Sequence, residues 1–365
     1  MSHLKRRRKL RKLLRGADAI LVTNESNVRY LTGFTGDSSY LILTSGGDDD
    51  AILISDPRYE EQIEEQCAGL ATHIRKPSEL LMPVTCKLLK KLEVGKLVVE
   101  ASSMTLSMFD QLEKAKLGEL VRGKAEVESL RAVKDNEEIA LIRRAVQIAE
   151  RAFVSLRAQL RPDMTELEFA HELEHTMRKL GAEGCAFDPI VAVGPRAALP
   201  HAEPGTTPLS ANPFVLIDWG ATVQGYRSDL TRVLTTSRIP AKISRAYEAV
   251  LTAQHAAISA LRPGVTGSEV DAIVRETLAS YGMEKRFNHG LGHGIGLDIH
   301  EAPRMGKNFP TPLEAGMVVT VEPGVYYPGL GGIRIEDDVL ITESGAEILS
   351  SLPKEFDANI QPLLS

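Results

Sequence analysis

The chain has 365 residues, 43% hydrophobic and 25% charged, a balance that suits one large or two ordinary globular domains with a sizeable core. A net charge of −6 gives no electrostatic case for nucleic acid, and no apolar run approaches the roughly eighteen residues of a membrane span. Cys67, Cys86 and Cys185 are too few and too scattered for a disulfide framework, so a reducing, cytoplasmic setting is expected.

The opening "MSHLKRRRKLRKLLRG" is strongly basic, as a transit peptide or a nucleic-acid arm would be. Leu4, Leu10, Leu13 and Leu14 predict instead an amphipathic helix that packs on the adjoining domain. From residue 17 to about 127, short apolar runs alternate with helical patterns. "ADAILVT", "SYLILT", "AILISD" and "KLVVEA" read as strands; "RYEEQIEEQC", "ELLMPVTCKLLKKL" and "LSMFDQLEKA" read as helices. An α/β domain over residues 1–127 is predicted, with no catalytic constellation in it. The polar "VESLRAVKDNEE" then leads into a long helical pattern, and a second domain is expected over 128–365.

Within the second part, "HELEH" sets His171 and His175 at i and i+4, the spacing of zincin ligands. Thr165 and Glu168 make a capping-box pair, so a helix is expected there. Its apolar positions are Phe169, Ala170, Leu173, Met177 and Leu180. At about 100° per residue both histidines project on the far, solvated side, which argues against a metal site.

The second part also contains an internal repeat. "LRPDMTELEFAHELEHTMRKLGAEG" from Leu160 recurs as "LRPGVTGSEVDAIVRETLASYGMEK" from Leu261, an offset of 101. "LPHAEP", with His201, is echoed by "IHEAP", with His300. "FVLIDWG…YRSDLTRVLTT" is echoed by "MVVTVEPG…GIRIEDDVLIT", which maps Asp218 to Glu322 and Asp229 to Glu336. Each half thus brings a helix pair, a histidine and a hairpin with two carboxylates, placed directly after the apolar runs "FVLI" and "VVTV". A hairpin turning near Val223 and Gln224 would put Asp218 opposite Asp229, a destabilising like-charge pair. Either the register differs or something positive lies between them. Stacking the halves about a pseudo-twofold would gather four carboxylates, which must then protonate or bind cations; four negative charges match two divalent metals. "NHGLGHGIGLDIHEAP" breaks the repeat, because His293 has no counterpart in the first half. Gly290, Gly292, Gly294 and Gly296 surround it without P-loop spacing, consistent with backbone passing close beside a site. Four carboxylates and one imidazole make an oxygen-rich donor set that favours Mn²⁺ or a similar ion.

These segments resemble the pita-bread metallopeptidases, specifically the Xaa-Pro aminopeptidases and prolidases. The resemblance rests on D-x-G-x(4)-G-Y-x-S-D-x-T-R (Asp218 to Arg232), H-G-x-G-H-G-x-G-x(3)-H-E (His289 to Glu301), E-P-G-x-Y (Glu322 to Tyr326) and G-I-R-I-E-D (Gly332 to Asp337). "NVRYLTGFTG" and "SDPRY" look like that family's creatinase-like N-terminal domain, so the likeness covers nearly the whole chain. It implies an N-terminal α/β domain followed by a pseudo-symmetric α+β domain, a curved antiparallel sheet covered by helices. It implies further that Asp218 chelates one metal, that His293 and Glu322 bind the other, and that Asp229 and Glu336 bridge the pair. A water or hydroxide between two divalent ions would be the nucleophile; Mn²⁺ is expected, with Co²⁺ or Zn²⁺ as alternatives. His201 and His300 would stabilise the oxyanion or assist proton transfer, Arg334 would order the bridge and substrate, and Tyr326 would help position them. The implied activity is hydrolysis of the Xaa-Pro bond at a peptide N-terminus, by a homodimer. Prolidase action on dipeptides is the nearest alternative, ahead of methionine aminopeptidase and of non-catalytic members of the fold, which typically lose metal ligands.

Overall fold

The computed structural model describes residues 2–14, 16–47 and 50–361. It divides into two compact units, Met1–Arg131 and Ala132–Ser365.

The first unit is built on one mixed sheet. Its strands are β1 (Ala19–Val22), β2 (Tyr40–Thr44), β3 (Ala51–Ser55), β4 (Ala71–Ile74), β5 (Lys96–Val99) and β6 (Glu119–Arg122), in spatial order β4-β3-β2-β1-β5-β6. Around them lie α1 (His3–Leu13), α2 (Glu25–Thr32), α3 (Glu60–Gln66), α4 (Leu81–Lys91) and α5 (Leu106–Ala115), with α6 (Glu126–Ala132) at the end. β3–β4 and β5–β6 pair in parallel, and α3 and α5 supply the crossovers that parallel pairing needs. The four apolar runs are the four central strands. β4 and β6, "ATHI" and "ELVR", are the edge strands, too exposed to register as apolar runs. α2 is only eight residues long, so its period is hard to read from sequence. α1 forms as the leucine spacing predicts, with Leu10 and Leu14 buried. Arg6 and Arg7 are buried as well. Their guanidinium groups donate to the Tyr30 and Leu31 carbonyls, at 3.2 and 2.8 Å, in the last turn of α2, where no intrahelical donor is available.

The second unit is internally duplicated. In its first half, α7 (Asn136–Arg157) and α8 (Glu166–Lys179) precede β7 (Gly184–Cys185), β8 (Ile190–Val193), β9 (Phe214–Trp219), β10 (Ala221–Val223), β11 (Tyr226–Arg227) and β12 (Leu230–Thr235). In its second half, α9 (Ala241–Ala260) and α10 (Gly267–Ser280) precede β13 (Gly292–Gly294), β14 (Glu301–Met305), β15 (Val318–Val321), β16 (Gly324–Tyr327), β17 (Gly331–Arg334), β18 (Asp337–Thr342) and β19 (Gly345–Ile348). The repeat reaches the level of single hydrogen bonds. Thr165 and Glu168 close a capping box on α8, and Thr266 and Glu269 close the same box on α10.

The halves form antiparallel sheets, β12-β9-β8 and β14-β13-β15-β18-β19, with β10–β11 and β16–β17 as matching hairpins. An antiparallel bridge from Thr231 to Glu336 joins the two sheets at the pseudo-twofold, beside β12 and β18. β9 is buried along its whole length, because its two faces serve different cores. Val215, Ile217 and Trp219 pack with α7 and α8, whereas Phe214 and Leu216 join the core under α9 and α10. Trp219 anchors the first face: its ring stacks on Phe153 at 4.5 Å and its N–H donates to the Ala149 carbonyl at 3.0 Å.

Candidate metal centre

The row Phe214–Leu216 on β9 continues, by strand alternation, to Asp218. Where the apolar row ends, the carboxylate begins. The hairpin register answers the question raised by Asp218 and Asp229. Asp218 pairs with Thr231, not with Asp229, and the turn falls on Gln224 and Gly225, one residue later than expected from sequence. Both turn residues have positive φ, 46° and 76°, as a two-residue type I′ connection requires. Asp229 therefore sits diagonally from Asp218 on the same face, and Arg334 reaches Asp218 with an Nη2–Oδ2 distance of 2.5 Å.

The second half supplies the rest. His293 lies on β13 between two glycines held against neighbouring backbone. A Cβ on Gly292 would come within 2.1 Å of the Thr320 carbonyl oxygen, and one on Gly294 within 2.1 Å of that of Ala302. The His293 Nδ1 donates to the Gly294 carbonyl at 3.1 Å, which leaves Nε2 facing Glu322 at 3.4 Å and Asp229 at 3.7 Å. Asp229, His293 and Glu336 each offer a ligand atom within 4.8 Å of the others. Glu322 directly follows β15 and Glu336 directly precedes β18, as Asp229 directly precedes β12, whereas Asp218 lies within β9.

The electrostatics are unfavourable as they stand. Burial, followed by the charge of Glu336, holds the Asp229 carboxyl well above the usual range. Burial, followed by Glu322 and Asp218, does the same to Glu336. Burial pushes Glu322 up to about 8 against the pull of Arg334. It pushes the His293 imidazole down to about 3, helped by the neighbouring His300. Among the described residues, the side-chain cation bonded to any of the four acids is Arg334. Asp218 Oδ1 is buried without a hydrogen-bond partner. Four crowded carboxylates, an unpartnered buried oxygen and a neutral imidazole with its free nitrogen turned inward fit divalent cations.

The acids are braced by a hydrogen-bonded chain. Arg334 Nε donates to Thr231 Oγ1 at 3.1 Å, and the Thr231 hydroxyl donates to Glu336 Oε2 at 2.6 Å. Arg334 Nη1 donates to Tyr326 Oη at 3.0 Å, and the phenol in turn donates to His289 Nε2 at 3.0 Å, since His289 Nδ1 is committed to the Gly290 carbonyl at 2.8 Å. Burial pushes the His289 imidazole down to about 4, so it stays neutral and able to accept. Sequence reasoning assigned no role to Thr231 or His289. The only available signal for His289 was its place in the glycine-rich span.

All five expected ligands, with His201, His300, Tyr326 and Arg334, line one cavity of about 800 Å³. His201 and His300 are exposed on its wall, and the His300 ring meets His293 edge-on at 4.3 Å. His171 and His175 lie elsewhere, exposed on α8, whose buried face is Phe169, Ala170, Leu173 and Met177.

A duplicated α+β unit that presents an oxygen-rich centre at its pseudo-twofold is the architecture of the pita-bread metallopeptidases. The chain belongs to metallopeptidase family M24, whose pattern matches residues 140–343; residues 6–133 match the creatinase/prolidase N-terminal domain. It is 38% identical to the uncharacterized peptidase YqhT of Bacillus subtilis, over 93% of this chain and 96% of that one. It superposes on an Xaa-Pro dipeptidase from Bacillus anthracis with a TM-score of 0.92 and 38% identity, covering 97% of this chain and 99% of that one. With an X-Pro aminopeptidase from Thermotoga maritima the TM-score is 0.85 at 37% identity, with 94% and 98% covered.

Proposed function

We propose that this chain is an Xaa-Pro aminopeptidase, hydrolysing the bond between the first residue of a peptide and a proline in second position. The observation that carries the reading is the gathering of Asp218, Asp229, His293, Glu322 and Glu336 on the wall of one large cavity. In this reading Asp218 would help hold one divalent ion, His293 and Glu322 a second, and Asp229 and Glu336 would serve both. Bound there, the ions supply Lewis acidity toward the scissile carbonyl and lower the pKa of water enough for attack at neutral pH.

The chain's own residues then have distinct tasks. The bond from His293 Nδ1 to the Gly294 carbonyl fixes the tautomer and turns Nε2 to the acids. Arg334 ties Asp218 to Tyr326 and, through Thr231, to Glu336. His201 and His300 line the same cavity, and in this reading they would donate to the oxyanion or supply a proton to the departing nitrogen. That proton matters, because the proline nitrogen carries no hydrogen in the peptide and leaves as an amine. Mn²⁺ as the ion, a cytoplasmic setting, a homodimer and a non-catalytic N-terminal domain belong to the same proposal; the oxygen-rich donors support Mn²⁺, with Co²⁺ or Zn²⁺ as alternatives.

Prolidase is the second reading, favoured by the likeness to the Bacillus anthracis dipeptidase. The test loads chelator-treated protein with Mn²⁺ and follows release of the first residue from matched Xaa-Pro and Xaa-Pro-Xaa peptides. Turnover of the tripeptide supports the aminopeptidase. Turnover confined to the dipeptide selects prolidase. Undiminished turnover without metal, or none of either peptide with two ions bound, overturns the mechanism.

A further inference from the structure

The hairpin equivalence that maps Asp229 onto Glu336 also maps Thr231 onto Asp338, each two residues past its acid. These two followers cross over. Thr231, from the first half, donates its hydroxyl proton to Glu336 Oε2 in the second half at 2.6 Å. Asp338, from the second half, accepts the backbone N–H of Asp229 in the first half at 3.0 Å. A main-chain bond from Glu336 N to the Thr231 carbonyl, 3.2 Å, closes the contact. Both followers are fully buried.

From this geometry we infer that Thr231 and Asp338 are a reciprocal pair of positioning residues: each half of the duplicated unit holds the other half's central carboxylate in place. The inference rests on the metal centre proposed above. Thr231 does the more demanding work. Its one hydroxyl proton goes to Glu336 and its oxygen accepts from Arg334 Nε, whose Nη2 holds Asp218. One hydroxyl therefore links an acid of the first half to an acid of the second, through a single arginine. Valine has nearly the same shape but cannot make either bond. With it, Glu336 loses its donor and the Arg334 Nε–H loses its acceptor, both inside a dry site. Asp338 acts on main chain instead, so an asparagine, which keeps an acceptor oxygen, should substitute for it and a leucine should not.

The experiment strips metal from the full-length parent, Thr231→Val, Thr231→Ser, Asp338→Leu and Asp338→Asn. Each is titrated with Co²⁺, following heat and the visible absorption of the bound ion, and the unfolding temperature of each metal-free protein is recorded alongside. Thr231→Val should bind Co²⁺ about 10- to 100-fold more weakly with an altered absorption band, the usual cost of losing a group that orients a ligand. Thr231→Ser should lie close to the parent. Equal affinity and spectrum in Thr231→Val and the parent would overturn the inference, as would a Thr231→Ser as impaired as Thr231→Val. If Thr231→Val fails to fold, the contrast between Asp338→Leu and Asp338→Asn decides in the same way. A parent that takes up no Co²⁺ overturns the metal centre and this inference together, whereas a parent that loads normally beside a normal Thr231→Val overturns only the latter.

Discussion

Asp218 and Asp229 share one hairpin, yet substitution should separate them. Asp229 faces His293 and Glu336, at the middle of the cluster, whereas Asp218 stands at its flank on Arg334. Asp229→Asn should lower occupancy at both proposed metal positions, and Asp218→Asn should chiefly empty one. Both should lose most turnover. The metal-free Asp229→Asn form should be no less stable than the parent, because removing that buried negative charge relieves repulsion. Asp218→Asn should instead lose stability, because it takes the charged partner from the buried Arg334. Elemental analysis beside thermal unfolding with and without chelator measures both effects; full occupancy and normal turnover in Asp229→Asn would rule out its central place. These acids were legible in the sequence because a carboxylate is out of character beside "FVLI" or "VVTV". Thr231 was not, since a threonine in a strand already has an ordinary explanation in β-propensity. Its importance comes from which half's acid it faces, and that is a tertiary fact.

At the scale of elements, α8 shows how periodicity overrules a motif. "HELEH" has zincin spacing, but the buried stripe of Phe169, Leu173 and Met177 fixes the helix's rotation and leaves His171 and His175 exposed. Replacing both with alanine should change stability by no more than about 0.5 kcal/mol and leave metal content and turnover unchanged. Elemental analysis of the double variant checks this. The caps carry more weight than the histidines: Thr165→Ala and Thr266→Ala should each cost about 1 kcal/mol in denaturant unfolding. The capping boxes, the central strands and the long helices were readable because local chemistry determines them. The exposed edge strands β4 and β6 and the two-residue strands β7 and β11 were not, because pairing partners rather than composition create them.

At the scale of the whole catalytic unit, a buried hub behind the metal centre binds distant segments. Asp337, on β18, accepts from Arg232 Nη2 of β12, Lys354 Nζ and Gln254 Nε2 of α9, at 2.7, 2.7 and 2.8 Å. The charges of Arg232 and Lys354 hold its carboxyl well below the usual range despite burial. Arg232 also donates to the main-chain carbonyls of Glu336 and Leu352. Arg232→Met should therefore destabilise the protein by about 3–5 kcal/mol, the cost of stranding a buried charge, as read from denaturant midpoints. The duplication itself was legible from an offset in the sequence, but the hub was not, since its members are far apart along the chain. The duplication has a consequence for how the molecule could be divided. The backbone passes from one half to the other through Ser237 and Arg238, which are exposed and lie between β12 and α9. A nick there would cut the sole covalent link between the halves while sparing every residue that lines the cavity. Two fragments, each with two acids and neither with a complete site, could then reassemble noncovalently, so that recovered peptidase activity would report the meeting of two separate polypeptides.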